Sequence, residues 1–366
     1  MTEMNLTPRE LGYYFPAEWE EHKATWLSYP HRDSYSWPGT LQRIFPFYNQ
    51  FIYLLSKGEQ VCINLRDKEL KEKVSFDLAS IGTDLSKISF LIHPTNDAWC
   101  RDHGPAFVVR QRPEKPKAIV SWKYNAWGNK YDHDLDEQIP RLIGEYLDIP
   151  VFYPGIVMEG GSVDFNGHGT LLTTTQCLLN ENRNPLLTQH EIEEFLCNYY
   201  GVEQILWLDE GIDGDDTNGH IDDITRFCSD DRVVTMVEPN RFDPNHAILE
   251  RNLKMLKSFR LLNGKQLDIA EMPMPKPVVY EDQRLPASYA NFYLANDRVI
   301  VPNFRCKEDD QAMRILQECF PDRQIIGIDS VEIIWGLGSF HCLSQQEPIT
   351  SQPNSFVCSW QPGSHS

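Results

Sequence analysis

The sequence predicts an α/β fold in which five ββαβ-like units close into a ring around a central cavity. Two observations lead to this prediction. Short strand patterns alternate with helical ones along the whole chain. A hairpin-like pattern also recurs at similar intervals, beginning at Ser162, Asp222 and Ser288, and Phe107–Arg110 and Phe340–Leu343 can be placed as a fourth and a fifth member. Five such units favour a closed ring over a doubly wound sheet.

The individual elements follow from apolar periodicity and from capping signals. Thr188 precedes a helical pattern, and Glu191 three residues later completes a capping box. The predicted helices cover 39–57, 134–147, 189–200, 243–262 and 308–320. The predicted buried strands are Val61–Leu65, Ile88–Ile92, Ile205–Leu208 and Ile325–Ile328. No linker marks a boundary, so residues 1–366 are predicted to form a single catalytic domain, with residues 361–366 as a frayed tail.

Composition excludes several classes of function. Hydrophobic residues make up 41% and charged residues 24%, as in an ordinary globular protein. The formal net charge of −19 argues against nucleic acid and against anionic membranes, which both require basic patches. The same charge is compatible with a small cationic substrate. No apolar stretch approaches the ~18 residues of a membrane span.

The cysteines and the N-terminus predict a cytoplasmic protein. There are nine cysteines, their spacing is irregular, and no CxxC occurs, which is typical of a reducing compartment rather than of a disulfide framework. The first residues are polar and acidic where a signal peptide has basic and then apolar residues. The oligomeric state is left open, with a homo-oligomer as one outcome.

Four polar clusters stand where the predicted units begin. They are Trp99–Pro105, Glu159–Ser162, Asp215–Asp222 and Gly336–Cys342. In a pseudo-symmetric ring, equivalent positions converge on the axis, so Asp102, Glu159, His220, Asp222 and Cys342 are expected to face one cavity. Alternation along a strand would place His220 and Asp222 on the same face.

These residue types suit the hydrolysis of a guanidinium group. Two carboxylates, Asp102 and Asp222, can grip the N–H edges of a planar cation and hold its carbon before a nucleophile. Cys342 would supply a thiolate, which is strongly nucleophilic without being strongly basic. His220 would protonate departing ammonia and then activate water, and Glu159 would orient that histidine.

At these residues the sequence resembles the agmatine deiminase family and its bacterial peptidylarginine-deiminase-like relatives. The matching segments are Phe15–Trp19, Asn96–Trp99, Asn125–Gly128, Glu159–Ser162, Cys177–Asn180, Thr217–His220 and His341–Gln346. The resemblance implies a five-bladed pseudo-symmetric α/β propeller, a cysteine nucleophile and no cofactor. It also implies that Trp99 packs against the aliphatic stem of the substrate.

The sequence departs from the family around the expected pocket mouth. The segment after Gly128 looks shorter than usual, and the usual glycine triplet before the nucleophile is Gly336-Leu-Gly338. Asp216 and Trp127 are expected to line the pocket as an acidic group and an apolar wall. Beside Asp216, the residues Asp215 and Asn218 are expected to add to a lining that suits an ammonium better than a carboxylate.

Metal and nucleotide motifs fail on spacing, so no metal and no cofactor are predicted. Asp213–Ile224 begins like an EF-hand loop but has Asn218 at its glycine position and Ile224 at its glutamate position. The pair Cys100 and His103 lacks a second pair of zinc ligands.

Two classes of function remain open. The leading one is hydrolysis of a guanidine through a Cys-linked thiouronium, with agmatine converted to N-carbamoylputrescine and ammonia, and with free arginine or peptidyl-arginine as alternatives. The other is an amidinotransferase, which would pass the amidino group to an amine instead of water. A non-catalytic scaffold would not need the whole catalytic set.

Overall fold

The computed structural model describes residues 6–350, so the predicted frayed tail at 361–366 lies outside the described residues. The helices are α1 Leu41–Leu55, α2 Lys68–Ser80, α3 Cys100–His103, α4 Ala126–Asn129, α5 Ile139–Leu147, α6 Thr175–Leu178, α7 Gln189–Tyr200, α8 Pro244–Ser258 and α9 Glu308–Cys319. Short 3₁₀ turns occur at Leu85–Lys87, Asp136–Gln138, Gly160–Ser162, Ile221–Asp223, Tyr289–Asn291 and Ile333–Gly336.

The strands are short and are distributed along the whole described chain. They are β1 His22–Ser28, β2 Gln60–Leu65, β3 Ile88–Ile92, β4 Ala106–Val109, β5 Lys117–Val120, β6 Val151–Phe152, β7 Asp164–Phe165, β8 Thr170–Thr174, β9 Gln204–Leu208, β10 Thr225–Phe227, β11 Arg232–Val237, β12 Asp268–Pro273, β13 Val279–Tyr280, β14 Gln283–Arg284, β15 Tyr293–Leu294, β16 Arg298–Asn303, β17 Gln324–Asp329 and β18 Ser344–Pro348.

Five small mixed sheets share one strand order. In four of them, β4-β5-β6, β7-β8-β9, β10-β11-β12 and β15-β16-β17, an antiparallel pair is followed by a parallel third strand. The fifth, β18-β1-β2-β3, joins the two ends of the described chain, with Leu27 opposite Ser344. The α/β class is therefore confirmed, and the predicted ββαβ order recurs in these sheets.

Hydrophobic spacing explains the helices that the sequence predicts. In α1 the buried side chains Ile44, Tyr48, Phe51, Ile52 and Leu55 recur every three or four residues, so one face packs against the core. Each fully buried Leu, Ile or Phe contributes about 1.5–3 kcal/mol to folding. The predicted capping box of α7 is present, with Thr188 and Glu191 bonding reciprocally.

The structure corrects several predicted elements. Helix α2 is missing from the sequence-based prediction because it is largely polar and buries only Val74 and Leu78. Helix α8 ends at Ser258 rather than at 262, since Phe259 has an extended backbone. The segment 134–147 divides into a 3₁₀ turn and α5.

The prediction that strand alternation places His220 and Asp222 on the same face is wrong, because these residues do not lie on a strand. Residues Ile221–Asp223 form a 3₁₀ turn, and β10 begins at Thr225. Arg101 and Asp102 likewise lie on the helical turn α3 and not on a strand. Helical turns, rather than pleated strands, therefore orient these side chains.

A short turn precedes the first strand of each of the five sheets and positions the site. These turns are α3, Gly160–Ser162, Ile221–Asp223, Tyr289–Asn291 and the segment 339–343 before β18. Gly160–Ser162 contacts both α3 and Ile221–Asp223. Ile221–Asp223 also contacts Tyr289–Asn291, and α3 also contacts β18. The starts of the five units therefore meet.

Between residues 6 and 350, no helix combines the length and the apolar character that crossing a membrane requires.

Candidate active site

Gly161 lies at the centre of the polar cluster. A Cβ atom on this residue would stand 2.6 Å from Nδ1 of His220, 2.8 Å from Oδ1 of Asp102 and 3.1 Å from Oδ2 of Asp222. Any side chain would collide with all three groups, so the glycine allows them to converge. The structure thus brings Asp102, His220 and Asp222 together.

Asp102 is buried and held at both oxygens. Oδ1 accepts a hydrogen bond from the Gly161 amide at 2.9 Å, and Oδ2 accepts one from Nε1 of Trp127 at 2.9 Å. Burial raises the pKa of Asp102 to about 6, with Asp222 and Glu159 adding to the rise and His220 opposing it. A cation bound beside Asp102 would therefore offset the free-energy cost of burying the ionised carboxylate.

His220 lies between two carboxylates and is completely buried. Its Nδ1 is 3.7 Å from Oδ1 of Asp102, and its Nε2 is 3.9 Å from Oε2 of Glu159. Burial opposes the charged form, but Asp102, Cys177 and Glu159 raise the pKa of His220 well above its usual value. A protonated imidazole suits a general acid that has to protonate a leaving group.

Glu159 is fixed by a buried arginine that the sequence analysis missed. Nε of Arg183 donates to Oε1 of Glu159 at 2.7 Å. Arg183 also donates to Oδ1 of Asn218 at 2.9 Å and to the carbonyl of Thr217 at 2.8 Å. Burial would raise the pKa of Glu159, but Arg183 and His220 lower it. Glu159 is thus a carboxylate whose free oxygen faces His220.

Cys342 is 4% exposed and faces two groups on other turns. Its Sγ accepts from Nδ2 of Asn291 at 3.0 Å and lies 3.5 Å from Oδ2 of Asp222. Burial raises the pKa of the Cys342 thiol well above its usual value, and Asp222, Asp223 and Asp102 raise it further. Without a bound cation, Cys342 is therefore a thiol at neutral pH.

Asn291, which lies at the start of the hairpin that begins at Ser288, was not among the predicted site residues. Its Oδ1 accepts from the backbone amides of His341 and Cys342 at 3.1 and 3.2 Å, so it fixes the loop that carries the thiol. The internal repeat could have predicted this residue, because Asn291 occupies the same pre-strand turn that carries Asp102 and Asp222 in other units.

A pocket opens to solvent in front of Cys342, with about 530 Å³ of empty space when its open mouth is included. Its lining consists of Tyr35, Ser36, Trp99, Asp102, Trp127, Tyr131, Asp216, Thr217, Trp335, Gly336, Leu337, Gly338 and Cys342. Trp99 is 3% exposed, and a Cβ on Gly338 would be 2.5 Å from its ring. The predicted pocket residues Trp99, Trp127 and Asp216 all lie in this lining.

Asp216 does not stand alone in the pocket. Lys130 Nζ lies 2.9 Å from its Oδ1, and the Tyr131 hydroxyl donates to its Oδ2 at 3.0 Å. Arg101 lies away from this pocket, with Nε bonded to the His341 carbonyl and Nη1 to Gln346.

Two residues expected beside Asp216 are absent from the lining of this pocket. Asp215 accepts bonds from Thr217 and Gly219 within its own turn, and Asn218 binds Arg183. Their polar groups are engaged by neighbouring residues, so the prediction that they line the pocket is wrong.

Among the described residues, one set of potential metal ligands lies together, formed by Glu159, Cys177 and His220, with ligand atoms within 4.8 Å of one another. Burial raises the pKa of Cys177, whereas a metal ligand has to be a thiolate. Glu159 is already paired with Arg183, whose positive charge opposes a second cation. The cluster therefore fits the acid/base surroundings of His220 better than a resident metal.

Comparisons with known proteins agree with one another. Residues 14–348 match the family of Porphyromonas-type peptidyl-arginine deiminases. The agmatine deiminase of Ectopseudomonas mendocina is 32% identical, over 95% of this chain and 99% of its own. A structure of the Enterococcus faecalis agmatine deiminase is 29% identical, with a TM-score of 0.88 over 94% of this chain and 98% of that one. A substrate-bound C. jejuni agmatine deiminase variant is 32% identical, with a TM-score of 0.83 over 92% and 96% of the two chains.

Proposed function

The chain belongs to the Porphyromonas-type peptidyl-arginine deiminase family, and we propose that it is a hydrolase that deiminates agmatine to N-carbamoylputrescine and ammonia. Relatives that align over nearly their whole length with it are named agmatine deiminases, which act on C–N bonds of linear amidines. The expected partner is thus a small cationic guanidine.

One observation carries this proposal. Four buried polar atoms in the cluster, Nδ1 and Nε2 of His220, Oε2 of Glu159 and Oδ1 of Asp222, have no hydrogen-bond partner among the described residues. Buried polar groups are nearly always paired, and leaving them bare costs free energy. A guanidinium placed before Cys342 offers N–H donors to the carboxylates. Substrate would therefore supply the missing donors to the carboxylate oxygens.

The reaction would begin when the cation enters between Asp102 and Asp222. Its charge opposes the carboxylates that raise the pKa of Cys342, so the thiol gives its proton to solvent when substrate binds and Sγ becomes a thiolate. Sγ attacks the guanidinium carbon, a C–S bond forms, and one C–N bond breaks. His220 gives its proton to the departing nitrogen, and ammonia leaves.

Water then completes the cycle. His220, now neutral, takes a proton from water as the hydroxide adds to the thiouronium carbon. The C–S bond breaks, the sulfur keeps its electron pair, the hydroxyl proton of the adduct passes to that sulfur and restores the thiol, and the neutral ureido product leaves. Glu159, held by Arg183, would keep the imidazole oriented through both steps.

The five units are proposed to close into a five-bladed propeller around this site. Support comes from the shared strand order of the five sheets and from the sheet that joins the two ends of the described chain. The serial contacts between the pre-strand turns also favour it. In such a ring, each blade contributes one turn to the axis.

The preference for agmatine over arginine rests on the mouth of the pocket. Asp216 is an anion that could meet a terminal ammonium, and Trp99 and Trp127 provide apolar walls. An arginine-selective site would instead need a cation free to bind the α-carboxylate. Lys130 is already paired with Asp216.

Product analysis with agmatine and with arginine, supplied separately, tests the proposal. The expected result is N-carbamoylputrescine and one ammonia from agmatine, with slower formation of citrulline from arginine. An amidinated amine formed from an added amine acceptor, without ammonia release, would instead assign an amidinotransferase. If no guanidine, including peptidyl-arginine, yields a ureido product, the proposed function is wrong.

A further inference from the structure

His341 is a buried histidine with a carboxylate at each ring nitrogen. Nδ1 is 2.7 Å from Oδ2 of Asp222, and Nε2 is 2.9 Å from Oε2 of Glu18. The side chains of His341, Asp222 and Glu18 are 2%, 0% and 7% exposed, so solvent does not screen these contacts. The residue directly precedes Cys342, yet it plays no part in the reaction described above.

Hydrogen-bond chemistry restricts the protonation state of this group. A neutral imidazole has one N–H donor and one bare nitrogen, and an ionised carboxylate has no donor at all. Two carboxylates at hydrogen-bond distance from both ring nitrogens therefore require two N–H groups. An imidazolium provides them without protonating either acid.

The surrounding charges agree with ionised carboxylates on both sides. Arg226 contacts Glu18 through Nη2 and Asp164 through Nε at 2.7 Å, and Arg101 Nη2 is 3.9 Å from Glu18. Despite burial, Arg226, His341 and Arg101 lower the pKa of Glu18 well below its usual value. Glu18 therefore has cationic neighbours enough to remain an anion.

The positive and negative charges around Asp222 are less evenly matched than those around Glu18. The cations that face it are His341, His220 and the more distant Arg226, and the groups that oppose its charge are Asp102 and Asp223. The neutral Cys342 thiol lies 3.5 Å from Oδ2 and can donate to it. Burial would raise the pKa of Asp222, but His341 lowers it through both a hydrogen bond and its charge. His341 thus bonds one oxygen, and the other, Oδ1, stays unpartnered.

We infer that His341 is a positioning residue, an imidazolium held between Glu18 and Asp222 that keeps Asp222 ionised and turns its free oxygen toward the guanidinium. The protonation state stands on the geometry of the three side chains alone. The role toward substrate rests on the proposed function. The N-terminal segment 15–19 would then support the site through Glu18, although it lies outside the substrate pocket.

The protonation state can be measured directly. In protein labelled with ¹⁵N-histidine, the two His341 nitrogens, assigned by their loss in His341→Gln, should both carry protons at pH 8. One unprotonated His341 nitrogen at pH 8 would overturn the inference. If His341→Gln fails to fold, Glu18→Gln provides the assignment instead, because it should shift the signal of the nitrogen it contacts.

The positioning role has a separate readout in binding. Calorimetry would compare agmatine binding to Cys342→Ala and to the double variant Cys342→Ala/His341→Gln between pH 5 and pH 9. In the wild type this pH is set by Asp102, whose pKa is about 6. Without the cation, the pKa of Asp222 should rise above that of Asp102, so the pH below which affinity is lost should move above 6 and the loss should become steeper. His341→Lys, which retains a positive charge, should restore part of that shift.

A matched control separates this role from general loss of packing. His22 is also buried beside a carboxylate, Glu59, with its Nδ1 3.3 Å from that acid. Its Nε2 bonds the backbone carbonyl of Glu18 and not the carboxylate that faces His341. His22→Gln should leave the pH midpoint unchanged.

A uniform loss of affinity in His341→Gln with an unmoved midpoint would overturn the positioning role. Absence of agmatine binding in Cys342→Ala itself would overturn the proposed function, whereas the ¹⁵N result would still decide the ionisation of His341.

Discussion

Arg183 donates from Nε to Oε1 of Glu159 at 2.7 Å, and neither side chain has any exposure to solvent. Three further hydrogen bonds, to Asn182, Asn218 and Thr217, engage the rest of the guanidinium. This arrangement leaves Oε2 of Glu159 as the oxygen that faces His220. Arg183 therefore sets both the charge and the orientation of the acid behind the histidine.

Replacing Arg183 should damage stability and activity together. In Arg183→Gln, Glu159 becomes a buried charge without its partner, a change that costs on the order of 3 kcal/mol. Urea denaturation should show this loss, and turnover should fall because His220 is no longer oriented. The control is Arg251→Gln, which removes an exposed pair with Asp209 and should cost less than about 1 kcal/mol. Equal losses in the two variants would contradict the role of Arg183.

Cys342→Ser should abolish turnover without unfolding the protein. A serine hydroxyl has no accessible anion at neutral pH and cannot replace the thiolate. Ammonia release reports activity, and circular dichroism reports the fold. Cys62→Ser is the matched control, because Cys62 is also buried but lies on β2, away from the pocket. One tenth of wild-type activity in Cys342→Ser would show that the nucleophile is another residue.

Alkylation should reveal the raised pKa of the Cys342 thiol. Burial and three carboxylates favour the neutral thiol in the free enzyme, so inactivation by iodoacetamide should be slow at pH 7. The rate should still be rising above about pH 10, where an ordinary thiol is close to its plateau. Peptide mass mapping would locate the label. A plateau below pH 8 for modification of Cys342 would mean that the thiolate is stabilised before substrate arrives.

The sequence predicts more of the fold than of the site's supporting residues. The strand segment Ile205–Leu208 is a continuous apolar run, and the capping box at Thr188 is local chemistry, so both are visible in the sequence alone. Ile88–Ile92 is interrupted by Ser89, and the prediction that it is buried throughout is wrong, since Ile92 is exposed. Helix α2 has little apolar periodicity and depends on its place against β2 and β3. Element boundaries were displaced where a turn replaced the end of a strand or helix, as at Ile221–Asp223.

The residues that support the site come from distant parts of the chain. Glu18, Arg183 and Asn291 contact the cluster through hydrogen bonds that span long sequence separations. A polar residue that serves a site and one that serves a turn look alike in sequence, which is why Asp215 and Asn218 were misplaced. Lys130 was missed for the same reason, since its partner Asp216 is remote in sequence.

The acid limb of kcat/KM should report Asp102. Its pKa is raised to about 6, and a guanidinium requires the ionised form, so kcat/KM should fall as the pH drops through about 6. The contribution of Asp102 to folding stability changes with pH in the direction opposite to kcat/KM. Because the folded pKa lies above the unfolded value, the contribution of Asp102 to the free energy of unfolding is fully present at low pH and is lost as the pH rises through 6.

Trp127→Phe tests that assignment without touching the carboxylate. It removes the Nε1 donor to Oδ2 of Asp102, so the pKa of Asp102 should rise and the acid limb should move to higher pH. Trp207→Phe is the control, because its Nε1 binds Glu193, which is remote from the site. An acid limb that stays in place in Trp127→Phe would assign the limb to another group.

The preference for agmatine can be tested from both sides of one ion pair. Asp216 and Lys130 lie 2.9 Å apart at the pocket, and both side chains are about one third exposed. If Asp216 receives the terminal ammonium of agmatine, Asp216→Asn should lower kcat/KM for agmatine more than for arginine. Lys130→Met should act in the opposite direction, since it frees the carboxylate from a competing cation. The pair is partly exposed, so the effects should be modest, about 1 kcal/mol or fivefold in kcat/KM.

Specificity constants for agmatine, arginine and a peptidyl-arginine, measured on the wild type and both variants at one ionic strength, test this preference. Arginine or a peptidyl-arginine turned over by the wild type at least as efficiently as agmatine would refute the preference, because the guanidinium clamps are common to all three substrates and only the far end of the pocket can distinguish them.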